Sequence, residues 1–237
     1  MKIIETSVLV LALFFQIPLA YCANGNSASK EEIIRILKKA QTAADSGDKA
    51  SQRAIGNAYL IGIGNYPKDP QKAFKWFLKA AQQDDIEAQV EVGTAYRDGQ
   101  GVKKDLKEAI KWLEMATSSG DMQGRFELAM LHMDKRRPEQ EKKVGLALLQ
   151  ENVQKQHPQS LWLMGELYMD GLLVEKNETR AVEHWVKAVQ GGSNAGAFSL
   201  GKHYLKDPAK RDEGLRLIRL SASKKYKPAA DFLKANP

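Results

Sequence analysis

Residues 88–116 read AQVEVGTAYRDGQGVKKDLKEAIKWLEMA, and the spacing of small and aromatic residues in this stretch decides the fold. Ala88, Val92 and Tyr96 follow helical spacing until Gly99 and Gly101 break it, which predicts a first helix of about 12 residues. Asp105 with Glu108 has the form of a capping box, the aspartate accepting a backbone N–H and the glutamate reaching back. A second helix then carries Ala109, Trp112, Leu113 and Ala116 on one face and ends near Gly120. Gly93 and Ala109 stand where the helices cross, because a larger side chain would push the axes beyond the usual ~8–10 Å, and Tyr96 and Trp112 fill the remaining gap.

Gly93 and Tyr96 return 36 residues apart along the chain, as Ala129 and His132, Gly165 and Tyr168, then Gly201 and Tyr204. Gly56 and Tyr59 belong to the same series after one inserted residue. Such a period predicts an all-α solenoid of about five helical hairpins, each burying its apolar face only against its neighbours. The expected units are 51–87, 88–123, 124–159, 160–195 and 196–228, within a repeat region spanning 30–237. A helix from about Ser29 to Asp45 precedes them and a closing stub from Lys227 to Leu233 follows. In strict register His184 takes the tryptophan position with Trp185 beside it, and Leu217 takes it in the last unit. In the central unit a charged loop, Lys135 to Lys143, replaces the glycines.

The first 22 residues read as a cleaved secretory signal: Lys2, an apolar run from Val8 to Leu19, then small residues at Ala20 and Cys22. Residues 23–29 form a polar leader, and the mature chain is expected in the periplasm or outside the cell. The apolar run is short for a membrane span, which needs about 20 residues, so no stable span is expected. Cys22, the only cysteine, leaves a lipoprotein as the alternative, although Tyr21 is bulky for that signal. No disulfide can form within the chain, so packing alone must stabilise it.

No constellation for catalysis, cofactor or metal emerges. His132, His157, His184 and His203 lie far apart, and His132 and His184 fall at repeat core positions. Ser221 with Lys224, and Ser27 with Lys30, spell the Ser-x-x-Lys of penicillin-type hydrolases without the companion motifs, which makes that activity the least favoured reading. Nucleic acid is not expected as a partner, because no recognised binding motif is present.

The pattern Ala-x4-Gly-x2-Tyr-x2-Gly-x-Gly-Val-x2-Asp-x3-Ala-x2-Trp-x3-Ala from Ala88 to Ala116 resembles the Sel1-like repeat (SLR), a relative of the tetratricopeptide repeat. The resemblance is strong in the units beginning at Gln52 and Ala88, good in that from Ser160, and weak in those from Gly124 and Gly196. It implies a right-handed superhelix of helical pairs whose first helices line a concave face. It implies an adaptor or scaffold, not an enzyme. Some exported bacterial members resemble immunity proteins that neutralise a secreted lipase toxin, which is the alternative reading.

On helical spacing, residues three before the helix glycine, and one and four after it, should face that groove. They read Phe126, Met130, Met133; Trp162, Glu166, Met169; and Phe198, Lys202, Leu205, an apolar stripe suited to a partner helix, peptide or toxin held by a monomer. Phe126, Trp162 and Phe198 could equally pack against neighbouring helices as core. The formal charge of +7 sits mostly in the last repeat, where residues 201–237 hold ten Lys or Arg against four acids. Arg216, Arg219, Lys224, Lys225 and Lys227 form either a solvated face or a basic patch for an acidic partner.

Overall fold

A computed structural model describes residues 30–236. The expected signal segment and leader, with Cys22 and Ser27, lie outside the described residues. The described residues contain twelve α-helices and no strand. They are α1 (Lys30–Asp45), α2 (Lys49–Ile61), α3 (Pro70–Ala81), α4 (Ile86–Asp98), α5 (Leu106–Ser118) and α6 (Met122–His132). There follow α7 (Glu139–Gln154), α8 (Pro158–Asp170), α9 (Glu178–Gln190), α10 (Asn194–Tyr204), α11 (Arg211–Ser223) and α12 (Lys227–Ala235). None is long and apolar enough to cross a membrane. The described residues divide into two compact units, one ending at Gly124 and the other beginning at Arg125, the division falling within α6.

In the first unit α2 packs on α3 and α4 on α5, with α1 against α2 and α3 against α4. The core joins Ala73, Phe74, Phe77, Ala80, Val92 and Trp112. The close approach of each hairpin follows from its helix glycine: a Cβ on Gly56 would stand 2.6 Å from the Phe77 ring, and one on Gly93 2.7 Å from Leu113. The side chain under the glycine is thus the residue after the tryptophan position, and Trp112 lies to the side, still buried. At the turn, the side chain of Asp105 accepts from the N–H groups of Lys107 (2.9 Å) and Glu108 (3.2 Å). The expected return bond from Glu108 does not form, because the Asp105 N–H already donates to the Tyr96 carbonyl at 3.0 Å. Asp69 repeats both features with Lys72 and with the Tyr59 carbonyl (2.9 Å). Gly101, with φ +76°, fits where a Cβ would come within 2.0 Å of the Pro70 carbonyl oxygen.

In the second unit α8 packs on α9, α9 on α10, α10 on α11 and α11 on α12, while α8 also touches α7 and α10. Trp185 is buried under Gly165, where a Cβ would stand 2.5 Å from the indole. His184 at the tryptophan position instead stays half-buried and bonds the Arg180 carbonyl through Nδ1 (2.8 Å). His132 is likewise half-buried, near Glu141. In the central hairpin the small residues exchange places: Ala129 stands where the other first helices have glycine, and Gly145 lies opposite, where a Cβ would be 2.7 Å from the Ala129 carbonyl. The crossing keeps its one missing Cβ. The charged stretch from Lys135 is not all loop, since Glu139 to Lys143 is the start of α7. Pro138 stops the helix from beginning earlier, and Glu139 and Glu141 suit its positive N-terminal end.

Candidate functional site

The first helices α8 and α10 run side by side in the second unit, and a cavity of about 350 Å³ opens between them. Trp162, Glu166 and Met169 come from α8 and Phe198, Ser199, Lys202 and His203 from α10; Lys206 and Tyr226 complete the mouth. Five residues expected on the inner stripe, Trp162, Glu166, Met169, Phe198 and Lys202, therefore converge. Trp162 is half-buried and donates its indole N–H to Ser199 Oγ at 3.2 Å, which fixes the ring plane. Phe198 meets Tyr226 at a tilt and Phe232 edge-on, both at 5.9 Å between centroids, and the Lys202 ammonium lies 5.5 Å from the Phe198 centroid. Oε1 of Glu166 is sealed from water and has no hydrogen-bond partner. Burial, and secondarily the Glu166 charge, push the Tyr226 hydroxyl above its ordinary value.

The other stripe residues do not join this cavity. Phe126 is buried with Ala129, Leu149 and Met164, its ring 5.8 Å from His157, so it belongs to the core and offers no binding surface. Met133 is half-buried on the same cluster. Met130 is 40% exposed, and Leu205 is half-buried at the end of α10. The period could not separate these cases, since one helical position faces a neighbour in one hairpin and solvent in the next. Tyr226, Ser199 and Lys206 escaped the sequence reading, Tyr226 because it precedes the closing helix outside the repeat pattern. In the first unit a smaller cavity of about 200 Å³ is lined by Arg53, Asn57, Glu87, Val90 and Glu91. Arg53 is held there between Asp85 (2.9 Å) and Glu87 (2.5 Å).

Arg216, Arg219, Lys224, Lys225 and Lys227 are all exposed. Arg216 is paired twice with Glu213, at 2.7 and 2.6 Å, which removes much of its reach. Lys225 and Lys227 flank Tyr226, so the basic turn adjoins the cavity mouth. Ser221 is fully buried and donates to the Asn194 carbonyl (2.7 Å), while Lys224 is exposed, an arrangement that withholds a nucleophile. Ser160, 2.8 Å from His157 Nδ1, is equally sealed and accepts from Asn152 (3.2 Å). Both serines hold the fold together.

Helical hairpins stacked through glycine crossings and aspartate-capped turns define a helical-repeat protein, and three segments, 49–85, 86–121 and 158–193, match the Sel1 repeat. The chain belongs to the Sel1-like repeat family. Among solved structures it is similar to a Sel1 repeat protein from Oxalobacter formigenes, at 24% identity and TM-score 0.65, covering 81% of this chain and 86% of that one. An immunity protein from Pseudomonas aeruginosa is similar at 24% identity and TM-score 0.56, over 84% of this chain and 75% of the other. A protective antigen from uropathogenic Escherichia coli with an SLR fold gives 24% and 0.59, over 91% of this chain but only 46% of its own length. Among curated proteins none matches significantly.

Proposed function

We propose that this chain is an exported, non-enzymatic scaffold that holds a segment of another protein against the α8–α10 face. The observation that carries the reading is the cavity between these helices, where apolar rings surround a few polar groups on a rigid pair of helices. Sites that bind by burial have this make-up, with a few placed polar groups fixing orientation. The family's repeats typically serve as binding surfaces, and Ser221, the serine of the Ser-x-x-Lys pair among the described residues, is buried away from any substrate. Export rests on the signal-like residues 1–22, with lipid attachment at Cys22 as the alternative.

The test is capture of the partner from the host envelope by the full chain, beside a Trp162→Ala/Phe198→Ala variant whose helicity is checked by circular dichroism. A partner lost with this variant and kept by a Lys224→Gln/Lys225→Gln/Lys227→Gln variant supports the reading. The reverse pattern, with release by salt, moves the site to the basic turn. Processing is read by N-terminal sequencing of the exported chain: a start at Ala23 is expected, an acylated Cys22 supports the lipoprotein, and unprocessed cytoplasmic protein overturns export.

A narrower reading is neutralisation of a toxin, prompted by the immunity protein among the fold neighbours. A likeness of fold carries no partner with it, so affinity must discriminate. A dedicated inhibitor should bind one enzyme at about nanomolar Kd or tighter, whereas an adaptor should bind several partners at about micromolar.

A further inference from the structure

The cavity between α8 and α10 holds one feature that a plain apolar groove would lack. Glu166 sits among Trp162, Phe198 and Tyr226, and its Oε1 is screened from water without a donor. With Oε1 closed off, the carboxylate meets a bound molecule through Oε2, and an unpaired carboxylate among apolar rings is costly until a bound cation pairs with it. The nearby donors do not pair with it: Lys202 is drawn over the Phe198 ring, and His203 lies 3.7 Å from Glu178. At about 350 Å³ the cavity lies near the lower end of the ~300–1,000 Å³ typical of small-molecule sites, enough for one long side chain and too small for a helix.

We infer that this cavity takes an arginine side chain of the bound protein, its guanidinium paired with Glu166 and its planar faces against Trp162, Phe198 and Tyr226. Arginine fits because its guanidinium is planar, weakly hydrated, forks onto carboxylates and stacks on aromatic rings. Lysine, a strongly hydrated point charge, uses only part of this arrangement. The rim adds a second requirement. Lys202 and Lys206 line the mouth, and Lys225 and Lys227 flank Tyr226, so the residues beside the arginine are acidic. The partner motif is a single arginine between carboxylates. The inference rests on the protein-binding reading above and names what that site recognises.

The probe is a blocked Asp-Arg-Asp peptide titrated into the full chain, followed by NMR through the Trp162 indole N–H and the backbone amides of Glu166 and Lys202. Its counterpart carries citrulline, which keeps the shape of arginine without the charge. Saturable shifts are expected at those groups, with citrulline weakening binding about ten-fold or more. Glu166→Gln should impose the same loss and remove the preference for arginine. Because Oε1 of Glu166 bonds nothing in the free protein, Glu166→Gln should leave the melting temperature unchanged or raise it. The inference is overturned if no saturable shift occurs or if arginine and citrulline bind alike. It also fails if binding depends on Lys202 and Lys206 but not on Glu166, or if Glu166→Gln lowers the melting temperature. A natural partner lost with Trp162→Ala/Phe198→Ala yet kept by Glu166→Gln would sink the arginine inference and leave the scaffold reading standing.

Discussion

The backbone N–H of Asp105 donates to the Tyr96 carbonyl at 3.0 Å, joining the last turn of one helix to the residue that caps the next. The same bond links Asp69 to Tyr59 and Asn177 to Tyr168, both at 2.9 Å. The cap side chain bonds forward into the new helix while its N–H bonds back across the turn. One residue therefore satisfies donors and acceptors at two helix ends, which must find partners somewhere.

This division of labour separates two substitutions that a capping box would make equivalent. Asp105→Ala should lower stability by about 1 kcal/mol, the usual loss for a helix N-cap. Glu108→Ala should stay within about 0.5 kcal/mol, because its side chain makes only a 3.8 Å ion pair with Lys111 on the surface. Urea denaturation measures both, and equal losses would restore the box.

The exchanged pair in the central hairpin predicts coupling. Gly145→Ala alone places a Cβ 2.7 Å from the Ala129 carbonyl and should cost about 1–3 kcal/mol. Adding Ala129→Gly recreates the arrangement of Gly93 and Ala109, so the double variant should recover about 1 kcal/mol or more relative to additivity. Additive losses in a double-mutant cycle would mean that the crossing does not depend on a single missing Cβ.

Acid should loosen α2 through its cap. Hydrogen bonds from Ser51, side chain and then backbone, hold the Asp48 carboxyl below its ordinary value. A depressed folded-state pKa contributes stability that is present above the unfolded carboxylate pKa and is lost as pH falls through the folded one. Asn also caps but does not titrate. Asp48→Asn should thus match the parent in acid and flatten the stability profile between the two pKa values, as followed by thermal melts across pH. An unchanged profile would remove Asp48 from the acid response.

Much of the fold was legible because its determinants are local and repeated. Gly93, Tyr96, Gly99 and Asp105 each act within a turn or two of their own position, so spacing alone exposes the hairpin. The start of α7 within the charged stretch was missed because charge suggested a loop, whereas Pro138 and the acidic first turn favour a helix start. The residue that packs under the helix glycine was missed for another reason. In each case it is the one after the tryptophan position, Phe77, Leu113 and Trp185, and which of two adjacent residues lies there depends on the rotation of the second helix about its axis, decided by its partner helix.

The binding stripe was legible only as a set of positions. Helical spacing places Phe126, Trp162 and Phe198 at equivalent points, yet Phe126 is core while Trp162 and Phe198 line the cavity. Repeat period and small residues at the crossings determined the all-helical hairpins, since both act through short-range sterics and backbone hydrogen bonds. Tertiary packing alone decided which aromatics remain accessible and brought Tyr226 and Glu166 together, because residues 60 positions apart meet only once neighbouring hairpins stack.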